Sequence, residues 1–371
     1  MVDTKLVGGG RRDSTRLRGS VKVAIYNLYF SVLGGGERRS AALAAHLCQR
    51  HDVTLFVGSR LDKNAIRDIF GIDLANVTIV DLEQKDHLAE IAKACPDVFI
   101  NNCHASRLPC IAPFGIYMCM FPEEEKIDLS SYDVITANSN FTARWILKKW
   151  GYTSEVVYSA CQSIGPGSSK EKTILNVARF FQGGPTSHHK RQEVLVEAFR
   201  KLIDDHEQDW ELHLVGNIGG SPEDRSFLEQ LRSASERYPV RILTDLPFDL
   251  LRQEYRSASL YWHATGFGFG EDDHPSKQEH FGMSIVEAMS AGAVPLAFDA
   301  GGPRETVRPG INGYLWTSTD ELIQHTRELG SNVALRDSMA AAAVEDSGQF
   351  GAGVFLARMD AIIARLTSAQ V

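Results

Sequence analysis

From Val21 onward the chain alternates short apolar runs with amphipathic ones, and this restricts the fold more than any other feature. Val21 to Tyr26, His51 to Val57, Val77 to Val80 and Asp97 to Ile100 read as strands. Ser40 to Leu47, Lys63 to Phe70 and His87 to Ala94, lying between them, read as helices. Strands that alternate with helices form parallel sheets covered on both faces. Ligands of such sheets bind beyond the carboxyl ends of the strands. Asn101 to His104 and Gly115 to Glu123 are expected at that edge, and Tyr132 to Thr142 as a strand leading into a capped helix. The composition shifts at Ser163 to Lys172, where Gly165, Pro166 and Gly167 mark a linker. The pattern then resumes: strands at Thr173 to Phe180, Trp210 to Gly216, Val240 to Leu243 and Ala293 to Phe298, with helices at Gln192 to Leu202 and Glu223 to Tyr238. A chain of 371 residues suffices for two domains, each with its own core.

Charge and composition exclude several classes of function. A net charge of −8 lacks the basic footprint of a nucleic-acid binder. No apolar run approaches the ~20 residues of a membrane span, and the first residues lack the apolar core of a signal peptide. Cys48, Cys95, Cys103, Cys110, Cys119 and Cys161 show no C-x-x-C spacing, so they read as reduced thiols of a cytoplasmic protein. Residues 1–20 are poor in apolar side chains and read as a disordered, solvated tail. Their Lys5, Arg11, Arg12, Arg16 and Arg18 outnumber Asp3 and Asp13, which is compatible with peripheral attachment to the inner face of an anionic membrane.

The stretch Glu279-His280-Phe281-Gly282-Met283-Ser284-Ile285-Val286-Glu287 places two carboxylates on either side of a turn that opens an apolar helix. Ser284 followed by Glu287 has the form of a capping box, and Gly292 that of a helix stop. Unpaired N–H groups near Gly282, Met283 and Ser284 would attract a phosphate, while flanking carboxylates could accept sugar or ribose hydroxyls. From the residues alone, both uses of Glu287 stay open. Gly34-Gly35-Gly36-Glu37-Arg38, between the first strand and first helix, would also let backbone approach an anion, although it is not a G-x-G-x-x-G turn.

This E-x7-E pattern, with Ala300-Gly301-Gly302-Pro303-Arg304-Glu305-Thr306-Val307 and Gly310-Ile311-Asn312-Gly313-Tyr314, resembles the retaining glycosyltransferases of family 4. The GGGER loop is similar to that of the lipid-linked-oligosaccharide mannosyltransferases among them. The resemblance implies the α/β GT-B fold, two Rossmann-like domains facing across a cleft. Residues 21–163 plus 350–371 would form the acceptor domain, because the last helix of such proteins crosses back, and residues 172–349 the donor domain. It also implies roles. Glu279 would hold the donor sugar as the catalytic-site residue, and Glu287 the nucleotide ribose. Gly35, Gly36, Phe281, Gly282, Met283 and Ser284 would surround the donor. Arg179 and Lys190 would grip the diphosphate, whose charge grows as it leaves. The nucleobase would lie near Asp245-Leu246-Pro247.

The implied donor is a nucleotide sugar, GDP-mannose ahead of UDP-sugars, and the acceptor a glycan or lipid-linked hydroxyl. No cofactor or metal is expected: His188-His189, His263 and Asp272-Asp273-His274 lack ligand spacing, and the fold generally lacks a metal-binding D-x-D. The Gly-rich acidic loop Gly266 to His274 is expected to be mobile. One departure stands out. Where many relatives carry a His, Tyr117-Met118-Cys119-Met120-Phe121-Pro122 has none, and that role is not transferred to Cys119. His104, at the neighbouring strand end, becomes a candidate acceptor or sugar contact, with Glu123, Glu124 and Glu125 nearby. Two alternatives remain, a nucleotide-sugar epimerase of the same fold and a non-catalytic partner subunit.

Overall fold

The computed structural model describes residues 20–30, 34–182, 189–205 and 209–368. Apart from Ser20, the tail expected over residues 1–20 lies outside them, as does His188. The first half contains β1 (Lys22–Tyr26), α1 (Gly35–Leu47), β2 (Asp52–Val57), α2 (Lys63–Phe70), β3 (Thr78–Asp81), α3 (His87–Ala94), β4 (Val98–Asn101), β5 (Phe114–Cys119), β6 (Val134–Ala137), α4 (Asn140–Trp150) and β7 (Glu155–Val156). The second half contains β8 (Glu171–Val177), α5 (Gln192–Asp204), β9 (Glu211–Gly216), α6 (Pro222–Ser235), β10 (Val240–Thr244), α7 (Phe248–Ser257), β11 (Ala258–His263), α8 (Met283–Ser290), β12 (Val294–Phe298), α9 (Pro303–Thr306), β13 (Tyr314–Trp316), α10 (Thr319–Ser331), α11 (Val333–Ser347) and α12 (Ala352–Ser368).

Among the described residues the strands form two parallel sheets. One has seven strands in the order β3-β2-β1-β4-β5-β6-β7, the other six in the order β10-β9-β8-β11-β12-β13. Their central strands read as continuous apolar runs because helices cover both faces: β5 and β11 are buried at every position. The expected two-domain α/β architecture is therefore present. In each sheet the strand order reverses once, between β1 and β4 and between β8 and β11. A crevice opens at such a switch point, beyond the carboxyl ends of the strands. The glycine loop follows β1, Asn102 follows β4, Arg179 follows β8, and Glu279 lies beyond β11.

Local signals account for the well-placed elements. Asp62 and Asp86 cap α2 and α3 through their carboxylates, and α2 stops at Gly71 in the left-handed region. Two elements that frame the site differ from expectation. The first helix begins within the glycines, at Gly35, five residues ahead of Ser40. Asn102, at the end of β4, donates to Gly36 O at 3.1 Å and to Ser40 Oγ at 2.5 Å, while Asn27, at the end of β1, donates to Ser40 Oγ at 3.0 Å. These buried amides pull the glycines into a helical turn. The helix α7 also carried no signal: its N-cap is Pro247, which offers no side-chain acceptor, and only Tyr255 along it is buried.

The chain crosses between the domains twice, side by side. Cys161 N donates to Phe350 O and Ala352 N to Cys161 O, both at 3.1 Å. After the second crossing, α12 buries Phe355, Met359, Ile362 and Ile363 in the same core as β1 and α1. Residues 163–172, expected from composition as the inter-domain linker, are docked. Ile164 N donates to Ser290 Oγ, Arg256 to the carbonyls of Ile164 and Gly165, and Lys170 Nζ to Ala258 O and Ala291 O at 2.8 Å each.

A second contact between the domains is made by one carboxylate. The first N–H groups of a helix have no partner within it. In α4 those of Asn140 and Phe141 donate to Glu305, at 2.9 and 2.8 Å, across the domain boundary. Tyr158 OH donates to the same group at 3.0 Å. We predict that Glu305→Ala removes this cap at a cost of about 1 kcal/mol and lowers Tm by about 3 °C, read by calorimetry against Glu305→Gln, which keeps one acceptor oxygen. An unchanged Tm for the alanine variant would show that the cap contributes nothing.

Candidate functional site

The site begins with the backbone of Glu279, His280 and Phe281. Gly302 N donates to Glu279 O at 2.8 Å. A Cβ on Gly302 would lie 2.4 Å from Phe281 Cα, so only glycine lets the two loops lie this close. From the other domain, Ser139 Oγ donates to His280 O at 2.6 Å. The His280 ring stacks on Phe121, centroids 3.9 Å apart and ring planes nearly parallel, and burial pulls its pKa down to about 3, which keeps it neutral. Phe281 is buried against Tyr158, Phe350 and Val286 and anchors the loop from below. The chain then turns at Gly282, whose φ of 93° is left-handed, and α8 starts at Met283.

This overturns the capping-box reading of Ser284 and Glu287. The N-cap is Gly282, without a side-chain acceptor, and Ser284 already lies inside the helix, hydrogen-bonded to Tyr261 OH at 2.7 Å. Glu287 does not reach back to cap the helix start. Its Oε1 accepts from Arg38 Nη1 at 2.6 Å, and its Oε2 from Tyr255 OH at 3.1 Å. Burial holds the Tyr255 phenol well above its usual pKa, so it stays a donor.

Glu279 is held comparably. Lys190 Nζ lies 2.7 Å from Oε2, and His263 Nε2 lies 3.4 Å from the same oxygen. Both carboxylates are only slightly exposed, 14% for Glu279 and 12% for Glu287, and each faces a cation of similar burial. Burial lowers the His263 pKa despite the neighbouring carboxylate. Arg179 is exposed, beyond β8, and its charge reaches Glu37 and Asp224: burial nonetheless raises the Glu37 carboxyl, whereas at Asp224 hydrogen bonds from Gln182 and Ser221, with Arg179 adding to them, outweigh burial and lower it. Gly35 reaches this cleft from the first domain: a Cβ there would meet Met283 Sδ at 2.8 Å. Two helix starts, of α1 and α8, thus lie together, both carrying the partial positive charge of free N–H groups.

The acceptor side is less complete. His104 pairs with Glu123 at 2.9 Å and interacts electrostatically with His280, so the two histidines are neighbours. Cys119 is buried beside Arg39, and its thiol is pushed up by burial. Met120 packs on Gly36. The loop from Gly266 to His274, expected to be mobile, is tied down. Buried Gln278 donates to Phe269 O and His274 O, while Glu271 accepts from Gly301 N, Arg304 and, across the domains, Arg144. All six cysteines are free, and among the described residues no three metal-ligating side chains come together.

With this geometry in view, residues 165–346 match the family described as glycosyl transferases group 1. The second domain is a glycosyl transferases group 1 domain. The chain is similar to GDP-Man:Man(3)GlcNAc(2)-PP-Dol alpha-1,2-mannosyltransferases. It is 29% identical to the Mus musculus protein over 51% of this chain and 38% of that one, and 28% identical to the Homo sapiens protein over 64% and 50%. It thus spans half or less of the length of these relatives. Its fold is that of Anabaena Alr3699/HepE in complex with UDP-glucose, with a TM-score of 0.71, 16% identity and coverage of 93% and 100% of the two chains. Sucrose-phosphate synthase from Thermosynechococcus elongatus superposes with a TM-score of 0.72 at 15% identity over 94% and 100%. The fold is GT-B, and the resemblance to lipid-linked-oligosaccharide mannosyltransferases stands.

Within the glycosyl transferases group 1 domain, Tyr255, Tyr261 and His263 hold the nominated residues in place. None was legible as a ligand, although Tyr261 and His263 alternate along β11 toward the cleft end. Tyr255 is set by α7, and α7 by His213 on β9, whose Nδ1 lies 2.6 Å from Glu254 and whose Nε2 lies 3.1 Å from Glu211. Burial disfavours the imidazolium, but the two carboxylates outweigh it, so the His213 pKa is raised above 6.5. A raised folded-state pKa gives stability that is fully present below the unfolded value and is lost as pH rises through the folded one. We predict that the stability gap between wild type and His213→Gln is largest below about pH 6 and narrows toward about pH 8. Denaturant midpoints across that range check this; a gap that widens with pH would contradict it.

Proposed function

We propose that the protein is a retaining glycosyltransferase of family 4 that moves an α-linked mannosyl group from GDP-mannose to a hydroxyl of a glycan or lipid-linked acceptor. The observation that carries this reading is the placement of Glu279 and Glu287 on either side of the free start of α8, with Lys190 and Arg179 at the same strand ends. An anion bound at the helix start meets N–H groups and cations, and hydroxyls on either side meet carboxylates. The mannosyl donor is favoured by the relatives, which are GDP-Man:Man(3)GlcNAc(2)-PP-Dol alpha-1,2-mannosyltransferases. UDP-sugars stand second, as the HepE structures contain UDP and UDP-glucose.

In the proposed reaction the bond between the anomeric carbon and the diphosphate oxygen breaks, and the acceptor oxygen bonds to that carbon on the same face. The acceptor proton passes to the leaving phosphate. Glu279 orients the sugar hydroxyls without acting as a nucleophile, and Glu287 takes the ribose. Lys190, Arg179 and the N–H groups of Met283 and Ser284 stabilise the charge on the departing diphosphate, so much of the rate comes from positioning and fixed dipoles. Gly35 and Gly36 approach the donor from the first domain. His104 contributes on the acceptor side, and the proposal includes no metal or cofactor. Among the described residues no helix is long and apolar enough to cross a membrane. A lipid-linked acceptor would bring the enzyme to a membrane face.

Thermal-shift titration with GDP, UDP, ADP and dTDP tests the donor site. A ligand that binds only the folded state stabilises it by about 2.7 kcal/mol at a hundredfold excess over Kd, several degrees in Tm. GDP is expected to raise the wild-type Tm, and Glu287→Ala to abolish the response. Radiolabelled GDP-mannose with a polyprenyl-linked glycan then reports transfer. Acceptor-independent conversion of the sugar would indicate an epimerase, and binding without turnover a partner subunit.

A further inference from the structure

Arg38 is a side chain of the first domain whose guanidinium lies on a carboxylate of the second. Its Nη1 is 2.6 Å from Glu287 Oε1, and its Nη2 donates to Gln162 Oε1 at 2.6 Å. The pair is largely withdrawn from water, with 15% of Arg38 and 12% of Glu287 exposed. It belongs to the helix that starts at Gly35 against Met283, so it lies one turn from the place where two helix starts meet. The neighbouring Glu37 does not neutralise this region outward: it turns back on its own helix, accepting from Gly34 N at 3.1 Å and Asn27 at 3.4 Å.

We propose that Arg38 is a specificity-determining residue that makes the site recognise a nucleoside and its diphosphate as one unit. This rests on the reading of the cleft as a nucleotide-sugar site. Without a ligand, Arg38 compensates Glu287. A ribose that takes Glu287 displaces the guanidinium, which must then find another anion, because an unpaired charge in so dry a place is strongly unfavourable. A diphosphate at the start of α8 supplies that anion in the planar, bidentate geometry guanidinium suits best. A nucleoside lacking phosphate displaces Arg38 and offers it nothing. Nucleosides are thereby rejected, and diphosphates gain a ligand from the opposite domain.

Calorimetric titration of wild type, Arg38→Ala and Arg38→Lys with guanosine and GDP, or with uridine and UDP if the uracil nucleotide is the one bound, separates the possibilities. In Arg38→Ala the diphosphate is expected to bind about tenfold more weakly, the effect of one charge-assisted hydrogen-bonding group. The nucleoside is expected to bind severalfold more tightly, since Glu287 is no longer occupied. Arg38→Lys keeps the charge and loses the fork, so it should show a smaller split of the same sign; it carries the test if the alanine variant does not fold. Affinities that move together, or do not move, overturn the proposal while leaving the donor site intact. A wild type that binds no nucleoside diphosphate overturns the reading of the cleft and this proposal with it.

Discussion

The structure depends most on how the backbone of Glu279 to Phe281 is held. Glu279 O accepts from Gly302 within its own domain, and His280 O accepts from Ser139 in the other. Between these two fixed carbonyls the side chains have no freedom to choose sides. Glu279 is delivered to Lys190 and His263, His280 to the face of Phe121, and Phe281 to the apolar cluster at the crossing. The left-handed turn at Gly282 then aims the free start of α8 into the cleft. Anything that shifts this loop moves both carboxylates at once, because Glu287 is about one turn along a helix whose direction the loop sets.

Electrostatics supply the second constraint. Two nearly dry carboxylates in one cleft would destabilise the folded chain if left alone, since removing one partner of a buried pair leaves an uncompensated charge. Each therefore holds a cation, Lys190 for Glu279 and Arg38 for Glu287. Under the proposed function the pairings also store the groups a diphosphate ester of a sugar would need: cations for its phosphates and carboxylates for its hydroxyls. On that proposal a substrate would not create charge in the site but redistribute partners already there, the low-reorganisation arrangement that favours electrostatic catalysis.

Much of this was legible in the sequence, for identifiable reasons. The helices α2 and α3 were readable to the residue because Asp caps precede them and their apolar positions repeat at helical spacing. Glu279, Glu287, Arg179 and Lys190 could be nominated because their motifs are local. What stayed hidden is what the fold brings together from afar. Arg38 and Glu287 are 249 residues apart, and nothing near either names the other. Glu305 stood in a recognised string, yet it caps a helix of the opposite domain. The capping-box reading failed at Ser284 because the box is defined by sequence order, whereas Gly282 alone could adopt the turn that the packing of Gly302 requires. The departure at Cys119 and Met120 was visible, but only the structure shows His280 and His104 as neighbours behind it.

The two kinds of contact between the domains have different physical characters, and that difference bears on motion. At the double crossing the contacts are backbone hydrogen bonds and buried apolar side chains, Cys161, Phe281, Val286 and Phe350, which are costly to expose. Toward the cleft they are ion pairs and single hydrogen bonds: Arg38 with Glu287, Arg144 with Glu271, and α4 with Glu305. Polar contacts exchange readily for water, as at interfaces between domains that move. Opening that pivots on the crossing would therefore break the polar set and keep the apolar one. Of the groups such an opening would release, Arg38 and Glu287 are the two that the proposed function offers to a nucleotide sugar, so under that proposal one ion pair would both close the empty cleft and bind what enters it.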